Sequence, residues 1–334
     1  MDFELIPRSF ALPAFRFGRL QSSGALSMVP LFGPDQGGTY TPPLSGLKLA
    51  GVRGYGNVEL KNPSSAGVTV VPLHIGYIQD GAQNHCLCSS LFLGAGQQRL
   101  VEDACCVQQA QGGYLEDREQ WFFVLPLGLR EEALRLRGQK NYGKLWSEIA
   151  KLSVRFGLEA RGHLEQVICR QRAVLTQYQS RIEAVPGQTG ALFFLNERLV
   201  GVEIAPNAAY FSEAWMPLAC FCYGTAALET ERGRLPAEAN PEPLPGRDLH
   251  ELRAQLELIR QRRLDRVRAN LARLPAEDFE REEQERYLRM RLYTVGGDNF
   301  VGQYVEDDGR LIYASLTVRH KLLQSALAAR PSQN

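Results

Sequence analysis

Two short apolar runs, Ala191 to Leu195 and Leu199 to Ile204, flank the polar triplet Asn196-Glu197-Arg198, and that pattern predicts a β-hairpin. Pro206 ends the second run. Beyond it Phe211, Trp215 and Leu218 recur every three to four residues, which predicts a helix whose apolar face folds back over the hairpin. The same order of glycine, strand, polar turn, Arg-Leu and apolar strand returns near the end of the chain. There Gly302 to Val305 leads into Glu306-Asp307-Asp308-Gly309 and then Arg310 to Leu316. Hairpins of such matched length are expected to pair in one antiparallel sheet.

Upstream, Met1 to Thr41 alternates short apolar pieces with Pro and Gly, predicting strands and loops. Val68, Val70, Leu73 and Ile75 stand in period-two runs before Asp80-Gly81. Strand-like pieces follow at Ala82 to Leu93, Leu100 to Gln109 and Trp121 to Leu127. Residues 1–130 therefore read as an antiparallel, sandwich-like β unit. The period changes after Gly128: Arg130 to Arg137, Lys140 to Phe156 and His163 to Ile182 carry apolar residues at helical spacing. Leu235 to Gly246, with four prolines, predicts an extended connector. Asp248 can then cap a helix with Leu249, Leu252, Leu256, Ile259, Val267, Leu271 and Leu274 in a narrow seam, and Ala276 to Arg291 reads as a second charged helix.

The fold expectation is α+β. It comprises a β-rich unit over 1–130, helices and a hairpin-helix unit over 131–235, a connector at 236–247, a charged helical arm over 248–291 and a closing hairpin and helix over 292–334. A stripe as narrow as the arm's suits helix-on-helix contact.

At 334 residues the chain can bury a large core without staples. Its formal charge of +1 gives no global attraction to nucleic acid or to a membrane surface. The apolar run Trp121 to Leu129 falls far short of the roughly 20 residues of a membrane helix. The seven cysteines, an odd number, and the acidic N-terminus without an apolar leader point to reduced thiols and a cytoplasmic protein.

Candidate chemistry is sparse. His85, Cys86 and Cys88 with Cys105-Cys106 suggest zinc, but adjacent strand residues point to opposite faces, so core packing is preferred and no metal is expected. A thiolate nucleophile at Cys106 or Cys169 would need His74, His85 or His163 beside it. Motifs for zinc proteases, serine hydrolases, phosphate loops and dinucleotide binding are missing from the sequence, and no cofactor is expected. Arg260 to Arg273 could grip phosphate. The acids that follow and the lack of aromatic residues on that helix disfavour RNA.

One resemblance emerges from motif order. Val58 to Leu60 with Asn62, Val68 to Val71, Gln83-Asn84, Cys106-Val107 and Trp146 precede Gly187-Gln188-Thr189-Gly190-Ala191, Gly201-Val202-Glu203, Phe211, Trp215 and the hairpin at Gly302. This order resembles a prokaryotic domain family named for its gene neighbourhood with ADP-ribosylglycohydrolases and rhodanese-phosphatases. Family members read Gln-Asn-Arg and Cys-Val-Glu where this chain has Gln83-Asn84-His85 and Cys106-Val107-Gln108. A charged pair is thereby replaced by neutral residues.

The resemblance implies work near NAD or ADP-ribose metabolism or in conflict systems. The leading expectation is a non-catalytic interaction protein that docks to itself or to a partner through Leu252, Leu256, Ile259, Arg263, Val267 and Leu271. The alternative is an enzyme or binder of a nucleotide-like ligand contacted by Gln83, Asn84, His85, Cys106 and Gln108.

Overall fold

The computed structural model describes residues 15–36, 39–78, 83–109, 121–233, 248–273 and 278–328. The chain starts with strands β1 (Arg16–Phe17), β2 (Gln21–Ser23) and β3 (Leu26–Phe32), then a single helical turn α1 (Pro43–Gly46). Short strands follow: β4 (Lys48–Gly54), β5 (Asn57–Lys61), β6 (Val68–Val71), β7 (Ile75–Ile78), β8 (His85–Cys86), β9 (Leu91–Gly94), β10 (Gln98–Val101), β11 (Cys105–Cys106) and β12 (Trp121–Val124). Helices α2 (Leu127–Arg135), α3 (Trp146–Arg155), α4 (Leu164–Leu175) and α5 (Tyr178–Arg181) lead to the hairpin β13 (Gly190–Leu195) and β14 (Arg198–Ile204). Next, α6 (Ala208–Met216) runs through a π-helical stretch, Pro217–Tyr223, into α7 (Gly224–Arg232). The chain closes with α8 (Leu249–Ala272), β15 (Glu280–Tyr287), β16 (Met290–Gly296), β17 (Phe300–Asp307), β18 (Arg310–Val318) and α9 (His320–Ala328). The fold is α+β with antiparallel sheets.

The two repeated hairpins do pair. β14 lies beside β18 with Gly201 opposite Thr317 and Glu203 opposite Ser315, inside a sheet ordered β1-β3-β13-β14-β18-β17-β16-β15. Gly190 opens the first hairpin and Gly302 stands third in the second for the same reason. A Cβ on Gly190 would lie 2.5 Å from the Glu203 carbonyl oxygen, and one on Gly302 would lie 2.2 Å from that of Ser315. Backbone cannot step aside as a flexible side chain can, so overpacking at either position is costly. Asn196 and Glu197 both have positive φ, 47° and 66°, the conformation a two-residue turn between right-twisted strands requires. The helix after the hairpin packs on it as its spacing predicts, with Phe211, Trp215 and Leu218 buried and the Tyr223 ring stacked 3.9 Å from that of Phe193. Cys220 and Cys222 are core residues of the same segment.

The N-terminal strands divide between two places. β1, β2 and β3 join the large sheet, where β3 pairs with β13 from Leu26 opposite Leu195 to Leu31 opposite Gly190. The first strands of the expected 1–130 unit are thus hydrogen-bonded to the hairpin unit. The remaining short strands form sheets β10-β5-β4, β11-β8-β7-β12 and β6-β9. Alternation sorts their side chains into two cores: Val70 and Phe92 face the main core, whereas Val71, Leu91 and Leu93 face a smaller one with Leu60, Ile75 and Tyr77. Strands buried on both faces read as continuous apolar runs.

One expected element is corrected. The segment within Ala276 to Arg291, read as a second charged helix, contains strand β15, which pairs with β16 from Glu280 opposite Gly296 to Tyr287 opposite Met290. It has no apolar face for a helix to bury, and an edge strand tolerates charge on its exposed side. Among the described residues the charged arm is therefore α8 alone.

Candidate functional site

The residues from the first motif do come together. β8 pairs with β11, placing His85 opposite Cys106, and the chain beyond β11 bridges the start of α4 through Gln108 and His163. Gln108 Oε1 accepts from the Asn84 backbone N–H at 3.1 Å, and Asn84 Nδ2 donates to Glu165 Oε2 at 2.7 Å. His163 Nε2 lies 3.6 Å from the same carboxylate oxygen. Sequence reading missed Glu165, because a single acid in the first turn of a helix carries no motif.

His85 has both ring nitrogens in use. Nε2 accepts from the Gly56 N–H at 3.2 Å, so Nδ1 carries the proton and donates to the Gln83 carbonyl at 2.8 Å. Burial lowers its pKa, which keeps the ring neutral. Cys106 donates its S–H to the Gln108 carbonyl at 3.1 Å, and burial pushes its thiol up, away from the thiolate a nucleophile needs. Gln83 is half-buried, with its Oε1 3.5 Å from Cys106 Sγ. Asn84, His85, Cys106 and Gln108 are buried, and these bonds join them to one another and to the backbone around them. Cys105 points to the other face, its sulfur 3.1 Å from Cys88 Sγ, so the adjacent cysteines diverge as strand geometry requires. Among the described residues no group of His, Cys, Asp and Glu has the arrangement of a metal site.

A second buried polar cluster joins the two hairpins. Arg130 is fully buried and its Nη1 donates to Glu203 Oε1 at 2.7 Å, which also accepts from Tyr223 at 2.7 Å; Ser315 donates to Glu203 Oε2 at 2.6 Å. Arg130 Nε donates to His74 Nδ1 at 3.2 Å. A cavity of about 20 Å³ beside Glu203 and Tyr313 has room for a single water. Desolvation of two charges this deep largely offsets their attraction, so the pair adds little net stability, while removing one partner alone would leave a costly buried charge.

α8 behaves differently along its length. Asp248 caps its N-terminus, accepting from the His250 and Glu251 N–H groups. In its C-terminal half Leu264, Val267 and Leu271 are buried in the main core, and Arg266 Nε meets Glu197 Oε2 at 2.6 Å. Full burial of three such side chains contributes about 1.5–3 kcal/mol each, enough to hold a helix that alone would be marginal.

Val267 and Leu271, expected to bind a partner, are instead sealed inside their own chain. They lie one and two turns from Leu264 on a face turned toward β14, a spacing the sequence contained although Leu264 was not read as part of the seam. Leu274 lies outside the described residues. The N-terminal half presents Leu249, Leu256 and Ile259 at 84%, 48% and 44% exposure, with Leu252 half-buried between them and Arg263 half-buried at the junction.

A family model for the ARG and Rhodanese-Phosphatase-superfamily-associated Protein domain matches residues 14–317. The chain belongs to that family. The ARPP-1 match takes in both hairpins, both buried polar clusters and α8, so the arm lies within the span of the domain. No curated protein and no solved structure matches the chain. No helix of the ARPP-1 fold, among the described residues, is long and apolar enough to cross a membrane.

Proposed function

We propose that this chain is a non-catalytic interaction protein that engages a partner through the outward half of α8. The observation that carries this reading is the stripe Leu249, Leu252, Leu256 and Ile259, which spans about 80° of the helix at 3.6 residues per turn and stays largely in solvent while the next turns are buried. An apolar stripe of that width suits a helix laid alongside it.

The rival reading, a nucleotide-like ligand held by Gln83, Asn84, His85, Cys106 and Gln108, has less support. Ligand sites keep a few polar groups aimed at open space, whereas these bond to one another and to nearby backbone.

Excising residues 241–290 would remove β15 along with α8, so substitution is the cleaner test. In Leu256→Glu/Ile259→Glu both side chains start substantially exposed, so the unfolding free energy should stay within about 0.5 kcal/mol of wild type. Light scattering and co-purification from the native host should show the assembly lost. An assembly of unchanged mass in the double variant rejects α8 as the contact.

A further inference from the structure

We infer that the cleft beside the middle of α8, at Arg260, binds an acidic peptide segment with apolar side chains, a site separate from the exposed stripe of α8. The cleft, about 700 Å³, lies among β1, β2, β3 and residues 183–186, with Arg260 from α8, and is within the size range of ligand sites. Phe17, Pro30 and Phe32 supply an apolar floor, and Arg16, Arg19 and Arg260 supply guanidinium groups around it. Arg16 already lies over the Phe32 ring, 4.2 Å from its centroid, which holds that guanidinium at the cleft wall.

The local charge favours an acidic occupant. At the cleft Arg16, Arg19 and Arg260 stand against Glu183 and Glu257, a net of 3 − 2 = +1. Glu257 bridges Arg260 at 2.8 Å and Arg19 at 3.5 Å, and the latter pair is 60–74% exposed, so an incoming carboxylate can displace it at small cost. Flanking arginines also oppose pairing with a second copy. Arg253 and Arg260, seven residues apart, border the exposed stripe, and across an antiparallel helix pair centred between them each would face the other's counterpart, arginine against arginine. RNA fits less well, because Glu183 and Glu257 at the cleft would repel a continuous phosphate backbone, whereas a peptide can space its acids around them.

The test is fluorescence anisotropy with the full chain and three labelled probes: a 12-residue Glu/Leu peptide, its Lys/Leu counterpart and a 12-nucleotide oligouridine. The Glu/Leu peptide should bind, the Lys/Leu peptide at least about tenfold more weakly, and Arg16→Glu/Arg19→Glu should weaken the acidic peptide by about tenfold or more. Raising salt should weaken it further. Tighter binding of oligouridine, equal binding of the two peptides, or an affinity indifferent to Arg16→Glu/Arg19→Glu overturns the inference.

The two readings fail separately. If Leu256→Glu/Ile259→Glu abolishes the native assembly while the arginine variant leaves peptide affinity unchanged, α8 docking stands and the cleft falls. Peptide binding lost only in the arginine variant, beside an assembly untouched by the α8 substitutions, leaves the cleft standing and removes the docking role.

Discussion

His74 shows how one side chain ties this fold to pH. It is fully buried, adopts a left-handed φ of 62°, and accepts a hydrogen bond on Nδ1 from Arg130, so only the neutral ring fits. Burial first, and the Arg130 charge second, hold its pKa well below the usual histidine value. Because the folded pKa is depressed, the unfolded chain takes up a proton that the folded one refuses. Stability is therefore complete above about pH 6.5 and falls as pH drops below it toward the folded value. His85 acts in the same direction. The urea midpoint should be lower at pH 5.5 than at pH 7.5, and His74→Asn, which tolerates the left-handed backbone, should shrink that difference. An undiminished pH effect in the variant assigns it to other groups. The sequence offers His74 as a candidate base. Its neutral role depends on Arg130, 56 residues away, which no spacing rule links to it.

At the scale of elements, the β13–β14 turn and α8 are built against each other. Glu197 sits at positive φ, where glycine would be easier, yet its carboxylate meets Arg266 and its carbonyl accepts from Asn270 Nδ2 at 3.1 Å. The less favourable turn residue is offset by the anchorage it gives the helix. Glu197→Gly should relax the turn and loosen α8 together, leaving overall stability within about 1 kcal/mol. Amides of residues 264–271 should exchange faster with deuterium, while those of β13 and β14 stay protected. Unchanged exchange along α8 excludes this anchor. Periodicity located both hairpins and α8 but misplaced β15. Charged residues without an apolar period leave helix and edge strand equally open, and β16 decides between them by supplying hydrogen-bond partners.

For the whole molecule, the order of the large sheet matters most. β18 lies against β14 in its interior, so the end of the chain completes a surface begun more than a hundred residues earlier. A fragment of residues 1–247 would expose the β14 edge and remove Ser315, one of the three donors to Glu203. It should remain unfolded or aggregate, as judged by circular dichroism and light scattering; a monomeric, cooperatively folding fragment contradicts that.

The sequence by itself determined the two hairpins, their repeat and the apolar stripe of α8, because these follow from residue periodicity and from turn residues along one stretch of chain. Only the tertiary structure decided which half of α8 is buried, that β3 crosses to the hairpin sheet, and that His85 and Cys106 face bonded neighbours. Those outcomes depend on groups distant in sequence competing for the same hydrogen bonds and the same apolar surface.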